Sequence, residues 1–225
     1  MVKLGNWLFH YRNFLFPLFY IALFIPSPPF LSKGIISEAA GLILIFSGIF
    51  IRCITIGLVY IIRGGKNREI FAEDLVTGGI YSVCRNPMYL GNIILLMGFG
   101  LFSNSILFLL IFFPLFVLFY VAIISAEEAF LTNKFGEKFI IYKNNVNALI
   151  PDPGKLGGAF KGQRFKWKKV LSKEHNSLYV YLSGILLLLL YKSEIELNVF
   201  IILILTLSIL YGAVKWMKVK KLLVE

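Results

Sequence analysis

Two clusters of polar residues interrupt long apolar runs in this 225-residue chain. The first is Gly78-Gly79-Ile80-Tyr81, followed closely by Arg85-Asn86-Pro87-Met88-Tyr89. The glycines permit a tight turn, and Asn before Pro is a favoured helix start, with Asn as N-cap and Pro at the first helical position. Such a start presents N–H groups and the positive end of the helix dipole. With Arg85 beside it, it suits a carboxylate or a phosphate. A turn entering a membrane, with an arginine reaching back to water, accounts for the same residues. The second cluster is Glu127-Glu128, with no lysine or arginine within one helical turn on either side. Neighbouring helical positions point about 100° apart, so only one of the two carboxylates faces a given ligand. One fits a cation-binding role and the other a solvated helix end.

From Glu127 onward the spacing of Leu131, Phe135, Phe139, Tyr142, Val146 and Leu149 describes an amphipathic helix, with Lys134, Lys138 and Lys143 on its other faces. This helix either lies along the membrane or folds back over the Arg85 turn as a lid. Arg52 sits inside an apolar run, where a charge is costly enough to mark a functional position, facing an acidic headgroup or the glutamate pair. A snorkelling side chain is the other reading. His10 and His175 belong to no constellation, and the sequence holds no Ser-His-Asp set, zinc motif or phosphate-binding loop. Cys53 and Cys84 give neither a disulfide framework nor metal-ligand spacing.

The elements that must position these residues are membrane helices. Hydrophobic residues make up 58% of the chain and charged ones 16%, against about 25% charged in an ordinary soluble domain, so a soluble globule is excluded. Apolar runs at 7–25, 39–62, 88–102, 106–124, 178–191 and 198–214 approach the roughly 20 residues a bilayer-spanning helix needs, the third and fifth being short. The fold class is therefore all-α, a polytopic transmembrane helical bundle of about six spans with a cytoplasmic amphipathic helix. The first run is a retained helix, since Ser27-Pro28-Pro29 offers no small-x-small cleavage site. Bases follow the second span (Arg63, Lys66, Arg68, Arg85), the fourth (134 to 173) and the sixth (Lys215, Lys218, Lys220, Lys221), while the alternate loops hold only Lys33 and Lys192. The positive-inside rule then places both termini in the cytoplasm, in the cytoplasmic membrane if the source is prokaryotic. The net charge of +11 belongs to these flanks and indicates no nucleic-acid partner. Residues 155–169 mix bases with aromatics as a loop resting on anionic lipid would. The organisation read from the sequence is membrane helices over 1–62, a core with the functional clusters over 63–153, a basic loop over 154–177, and a hairpin and tail over 178–225.

The block Leu75-Val76-Thr77-Gly78-Gly79-Ile80-Tyr81, Arg85-Asn86-Pro87-Met88-Tyr89-Leu90-Gly91, a helical hairpin, Glu127-Glu128-Ala129-Phe130-Leu131 and Phe135-Gly136-Glu137-Lys138-Phe139-Ile140-Ile141-Tyr142 resembles the isoprenylcysteine carboxyl methyltransferases and the related membrane phospholipid methyltransferases. The resemblance covers about a third of the chain. It implies S-adenosylmethionine bound at the cytoplasmic membrane face and a lipophilic acceptor entering from the bilayer. It further implies Arg85 and Glu128 as catalytic residues, and Gly79, Tyr81, Asn86, Pro87, Tyr89, Glu127 and Glu128 as the cofactor-binding set. No metal is implied. Asn86 stands where the family usually has His, and an amide can hydrogen-bond a cofactor but cannot shuttle a proton. A carboxylate acceptor needs no general base, whereas an ammonium must first lose a proton, so Asn86 leans towards a carboxylate, or towards an amine deprotonated by a glutamate. Phospholipid N-methylation, an NADPH-dependent membrane reductase and a non-catalytic membrane subunit are the alternative readings.

Overall fold

The computed structural model describes residues 1–58 and 70–223. Arg63, Lys66 and Arg68, on which part of the sidedness argument rests, lie outside the described residues, as does the end of the second apolar run. The chain divides into two compact units, Met1–Gln163 and Arg164–Glu225.

In the first unit, α1 (Val2–Ala22) packs on α4 (Phe113–Phe135), and α2 (Gly34–Leu58) packs on α3 (Pro87–Phe102). Small residues let the backbones touch, the usual solution where lipid removes the hydrophobic drive between helices. A Cβ on Gly48 would lie 2.6 Å from the Gly91 carbonyl oxygen, and one on Gly98 would lie 2.6 Å from the Ile45 nitrogen. Gly41 meets Phe102 and Gly98 in the same way, so a glycine seam runs the length of this antiparallel pair. In α1, a Cβ on Gly5 would lie 2.0 Å from the Ala122 carbonyl oxygen. A π-helical turn at Phe108–Phe112 leads into α4. Pro114 just beyond it has no N–H for the α-helical bond to Leu110, and the widened turn accommodates that loss. At the end of the unit away from the polar clusters, the α1–α2 and α3–α4 connections are tied together: Phe30 N–H donates to Asn104 O at 2.9 Å, and Asn104 Nδ2 to Leu31 O at 3.0 Å.

At the other end the expected continuous amphipathic helix is broken. Gly136 takes φ +57°, which favours glycine. It ends α4 and starts α5 (Glu137–Asn145), which turns back on α4. Phe139, Tyr142 and Val146 still share a buried cluster with Leu131 and Ala72, so the apolar spacing marks the right residues on two helices rather than one. A short turn leads to α6 (Leu156–Phe160).

In the second unit, α7 (Trp167–Tyr191) pairs with α8 (Leu197–Val219). Tyr179 and Ser208 hydroxyls meet at 3.0 Å, Tyr211 OH donates to Asn176 Oδ1 at 2.9 Å, and Lys218 Nζ donates to Ser172 O at 2.8 Å. The stretch 154–177, read as a loop, is helical from Trp167 because α7 continues through the basic residues into the apolar run. Among the described residues, Gly34–Leu58, Phe108–Phe135 and Leu197–Val219 are long and apolar enough to cross a membrane. Helix α3, with 16 residues, rises about 24 Å, less than a bilayer core of about 30 Å. The architecture is an all-α membrane bundle, as the composition requires.

Candidate functional site

The site is assembled where α3 begins. Gly79, at φ +61°, opens a 3-10 turn over Gly79–Ser82. The turn buries Tyr81, whose carbonyl accepts the Tyr142 hydroxyl at 2.7 Å. Asn86 and Pro87 occupy the N-cap and first position of α3, as their chemistry predicts. The Asn86 side chain, however, does not cap the helix; its Nδ2 donates to Ala148 O at 3.1 Å. Residues 147–152 run beside 83–86, with Arg85 N–H to Asn147 O at 2.9 Å and Asp152 N–H to Val83 O at 3.0 Å. The segment after α5 therefore folds back over the Arg85 turn.

Arg85 is the clasp of this arrangement. Its Nη2 lies 2.5 Å from Glu128 Oε1, and its Nη1 donates to Lys143 O at 2.8 Å and to Val146 O. Lys143 Nζ meets the other Glu128 oxygen at 2.7 Å. Arg85 thus joins the start of α3, the end of α4 and the end of α5, with its guanidinium on an internal carboxylate. Glu127 takes the other direction that helical geometry allows: it is 3% exposed and accepts the Tyr89 hydroxyl. The two adjacent carboxylates face different partners, as their angular separation requires.

A small cavity lies beside this clasp, lined by Tyr81, Arg85, Asn86, Pro87, Met88, Tyr89 and Glu127. Six of these were singled out in the sequence, while Gly79 and Glu128 are not among the lining residues. Glu128 meets Arg85 instead. Met88 lines the cavity without having signalled itself. Lys143 and Tyr142 were read as parts of an amphipathic pattern rather than as partners of Glu128 and Tyr81. The absence of a nearby cation for Glu128 was the one signal that its partner is distant. In the turn before α3, burial pushes the Cys84 thiol above its ordinary pKa, with the Asn86 backbone N–H and the Arg85 charge pulling it only partly back. Arg52 meets neither glutamate in the hydrogen bonds described; its Nη1 donates to Asn92 Oδ1 on α3. Among the described residues, no three His, Cys, Asp or Glu side chains gather as a metal cluster.

Parts of the sequence are similar to known proteins. The chain is 36% identical over 90 residues to the cobalt-zinc-cadmium resistance protein CzcN of Cupriavidus metallidurans, covering 40% of this chain and 39% of the relative. It is 37% identical over 80 residues to the nickel-cobalt-cadmium resistance protein NccN of Alcaligenes xylosoxydans, covering 36% and 37%. With the protein-S-isoprenylcysteine O-methyltransferase of Schizosaccharomyces pombe it shares 32% identity over 96 residues, covering 41% and 38%. The matches span less than two-fifths of the length of each relative. No solved structure is a significant match. Residues 36–138 match the profile of the phospholipid methyltransferases. That segment carries Arg85, Asn86, Tyr89 and both glutamates, so the residues that meet at the cavity lie in the part of the chain that is similar to the phospholipid methyltransferases.

Proposed function

We propose that this protein is an integral membrane methyltransferase that moves a methyl group from S-adenosylmethionine to a lipophilic acceptor, in the manner of the isoprenylcysteine carboxyl O-methyltransferases. The observation that carries the reading is the meeting of the segment 81–89 with the distant Glu127 at one cavity within the stretch that matches the family profile. The lining suits the cofactor's polar groups. Glu127 offers a buried carboxylate to a cationic amino or sulfonium group, the Asn86 amide offers hydrogen bonds, and the N–H groups at the start of α3 suit a carboxylate. When bound, the cofactor supplies an electrophilic methyl group. The protein's part is to hold the acceptor in line and exclude water. The clasp of Arg85 on Glu128, Lys143 and Val146 keeps the cover formed by α5 and 147–152 over the site.

Six membrane crossings with both termini in the cytoplasm, and anionic lipid against the basic aromatic stretch, belong to the same reading. Trp167 is 69% exposed and its ring lies 4.6 Å from that of Phe165, an arrangement suited to the headgroup region.

Calorimetric titration of detergent-purified protein with S-adenosylhomocysteine, with NADPH as comparison, tests the reading. Micromolar binding of the homocysteine compound alone supports it, and binding of NADPH or of neither overturns it. Glu127→Gln keeps the shape and removes the charge. A lost charge-assisted hydrogen bond is worth about 1.5–3 kcal/mol, so binding should weaken by roughly tenfold to a hundredfold. With labelled cofactor and lipid extracts, transfer to a carboxylate gives a methyl ester that mild alkali releases, whereas N-methylation gives a label that survives.

A further inference from the structure

Beneath the cavity a chain of contacts crosses three helices. Arg52, on α2 and 8% exposed, donates through Nη1 to Asn92 Oδ1 on α3. That bond orients the amide, so Asn92 Nδ2 must be the group that faces α4, and it donates to Tyr120 OH at 2.7 Å. The Tyr120 ring is 2% exposed and is gripped by Phe16 and Phe116, with centroids at 5.1 and 4.9 Å. It packs at 4.9 Å on the ring of Tyr89, whose hydroxyl is bonded to Glu127.

Two features set Arg52 apart from a plain helix clamp. The α2–α3 seam is already closed by glycine contacts and does not require a charge to hold it. The Arg52 stem crosses a gap left by Gly91, where an added Cβ would lie 2.8 Å from Arg52 Cγ. The missing side chain at Gly91 is thus what leaves room for the arginine's path towards Asn92. An ionised group inside an apolar run carries a cost usually associated with function.

We propose that Arg52 is a positioning residue: through Asn92 and Tyr120 it sets the Tyr89 ring and so the presentation of Glu127 to the cavity. The consequence for cofactor affinity rests on the function proposed above, while the mechanical link does not.

The test uses the full chain in detergent, with Arg52→Met to keep the stem and remove the charge. Asn92→Leu serves as a second variant if the first does not fold. One arm places 3-fluorotyrosine at position 89 and reads its fluorine resonance without ligand. The resonance should move in either variant, and an unmoved resonance in a folded variant overturns the proposal. The other arm measures S-adenosylhomocysteine affinity in a double-mutant cycle with Tyr89→Phe. Arg52→Met alone should weaken binding about tenfold, and should add little once the Tyr89 hydroxyl is gone. Additive losses would mean that Arg52 acts elsewhere and overturn the proposal. If the unaltered protein binds no S-adenosylhomocysteine, the proposed function fails and the resonance still decides the link.

Discussion

Two cations share the Glu128 carboxylate, and the structure predicts very different costs for removing them. Arg85 and Glu128 are 8% and 14% exposed as side chains, while Lys143 is 46% exposed. Arg85→Ala leaves a buried carboxylate with one solvated partner and strips the Arg85 hydrogen bonds from the Lys143 and Val146 carbonyls. Breaking a buried pair in this way costs about 3–5 kcal/mol. In a chain of this length each kcal/mol moves the melting temperature by about 2–4 °C, so Arg85→Ala should melt roughly 6–20 °C lower. Lys143→Ala removes a charge already screened by solvent, worth under about 1 kcal/mol and hence under about 4 °C. Arg85→Lys keeps a charge for Glu128 but loses the planar fork that also reaches two carbonyls, so it should fall between them. Thermal denaturation in detergent, followed by tryptophan emission, measures all three. Melting of Arg85→Ala and Lys143→Ala within about 2 °C of each other would refute the assignment of Arg85 as the clasp.

The glycine seam predicts that Gly48→Ala, which puts a Cβ 2.6 Å from a backbone oxygen, destabilises by about 1–3 kcal/mol through overpacking. Gly212→Ala in α8, with nothing within 4 Å, should melt unchanged or slightly higher; equal losses at both positions would argue against the seam. Cys84, with its thiol raised by burial, should react slowly with iodoacetamide at mildly alkaline pH, because the thiolate is the nucleophile. Its rate should climb only above the ordinary thiol range, and mass spectrometry of the labelled peptide reads it. Prompt labelling near neutral pH would place Cys84 in a different environment.

The parts of the site legible in the sequence were those governed by local rules. Asn86-Pro87 announces a helix start because capping chemistry involves adjacent residues. The divergence of Glu127 and Glu128 follows from helical pitch alone. What could not be read depends on partners far along the chain. Lys143 looked like a solvated face, since nothing local shows that α5 returns to Glu128. The break at Gly136 was hidden because Phe139, Tyr142 and Val146 keep helical spacing with Leu131, although a backbone conformation favouring glycine intervenes. Hydropathy located the apolar runs but not the glycine seam, which is a property of what is missing between two backbones. Nor did it show that the basic turns before the fifth run belong to α7 itself, because charge and helicity are independent signals.

The division of labour between the two glutamates makes the length of α4 a functional quantity. With the helix held at Tyr120 by Asn92 and its aromatic neighbours, deleting one residue between Tyr120 and Glu127 would draw Glu128 into the place of Glu127 and leave Ala129 to face Arg85. Inserting one would hand Glu127 to Arg85 and turn Ala126 towards Tyr89. Either change keeps every side chain of both clusters, yet it separates the clasp from the cavity carboxylate. Substitutions at the surface of this stretch are therefore far more permissible than any change in its count of residues.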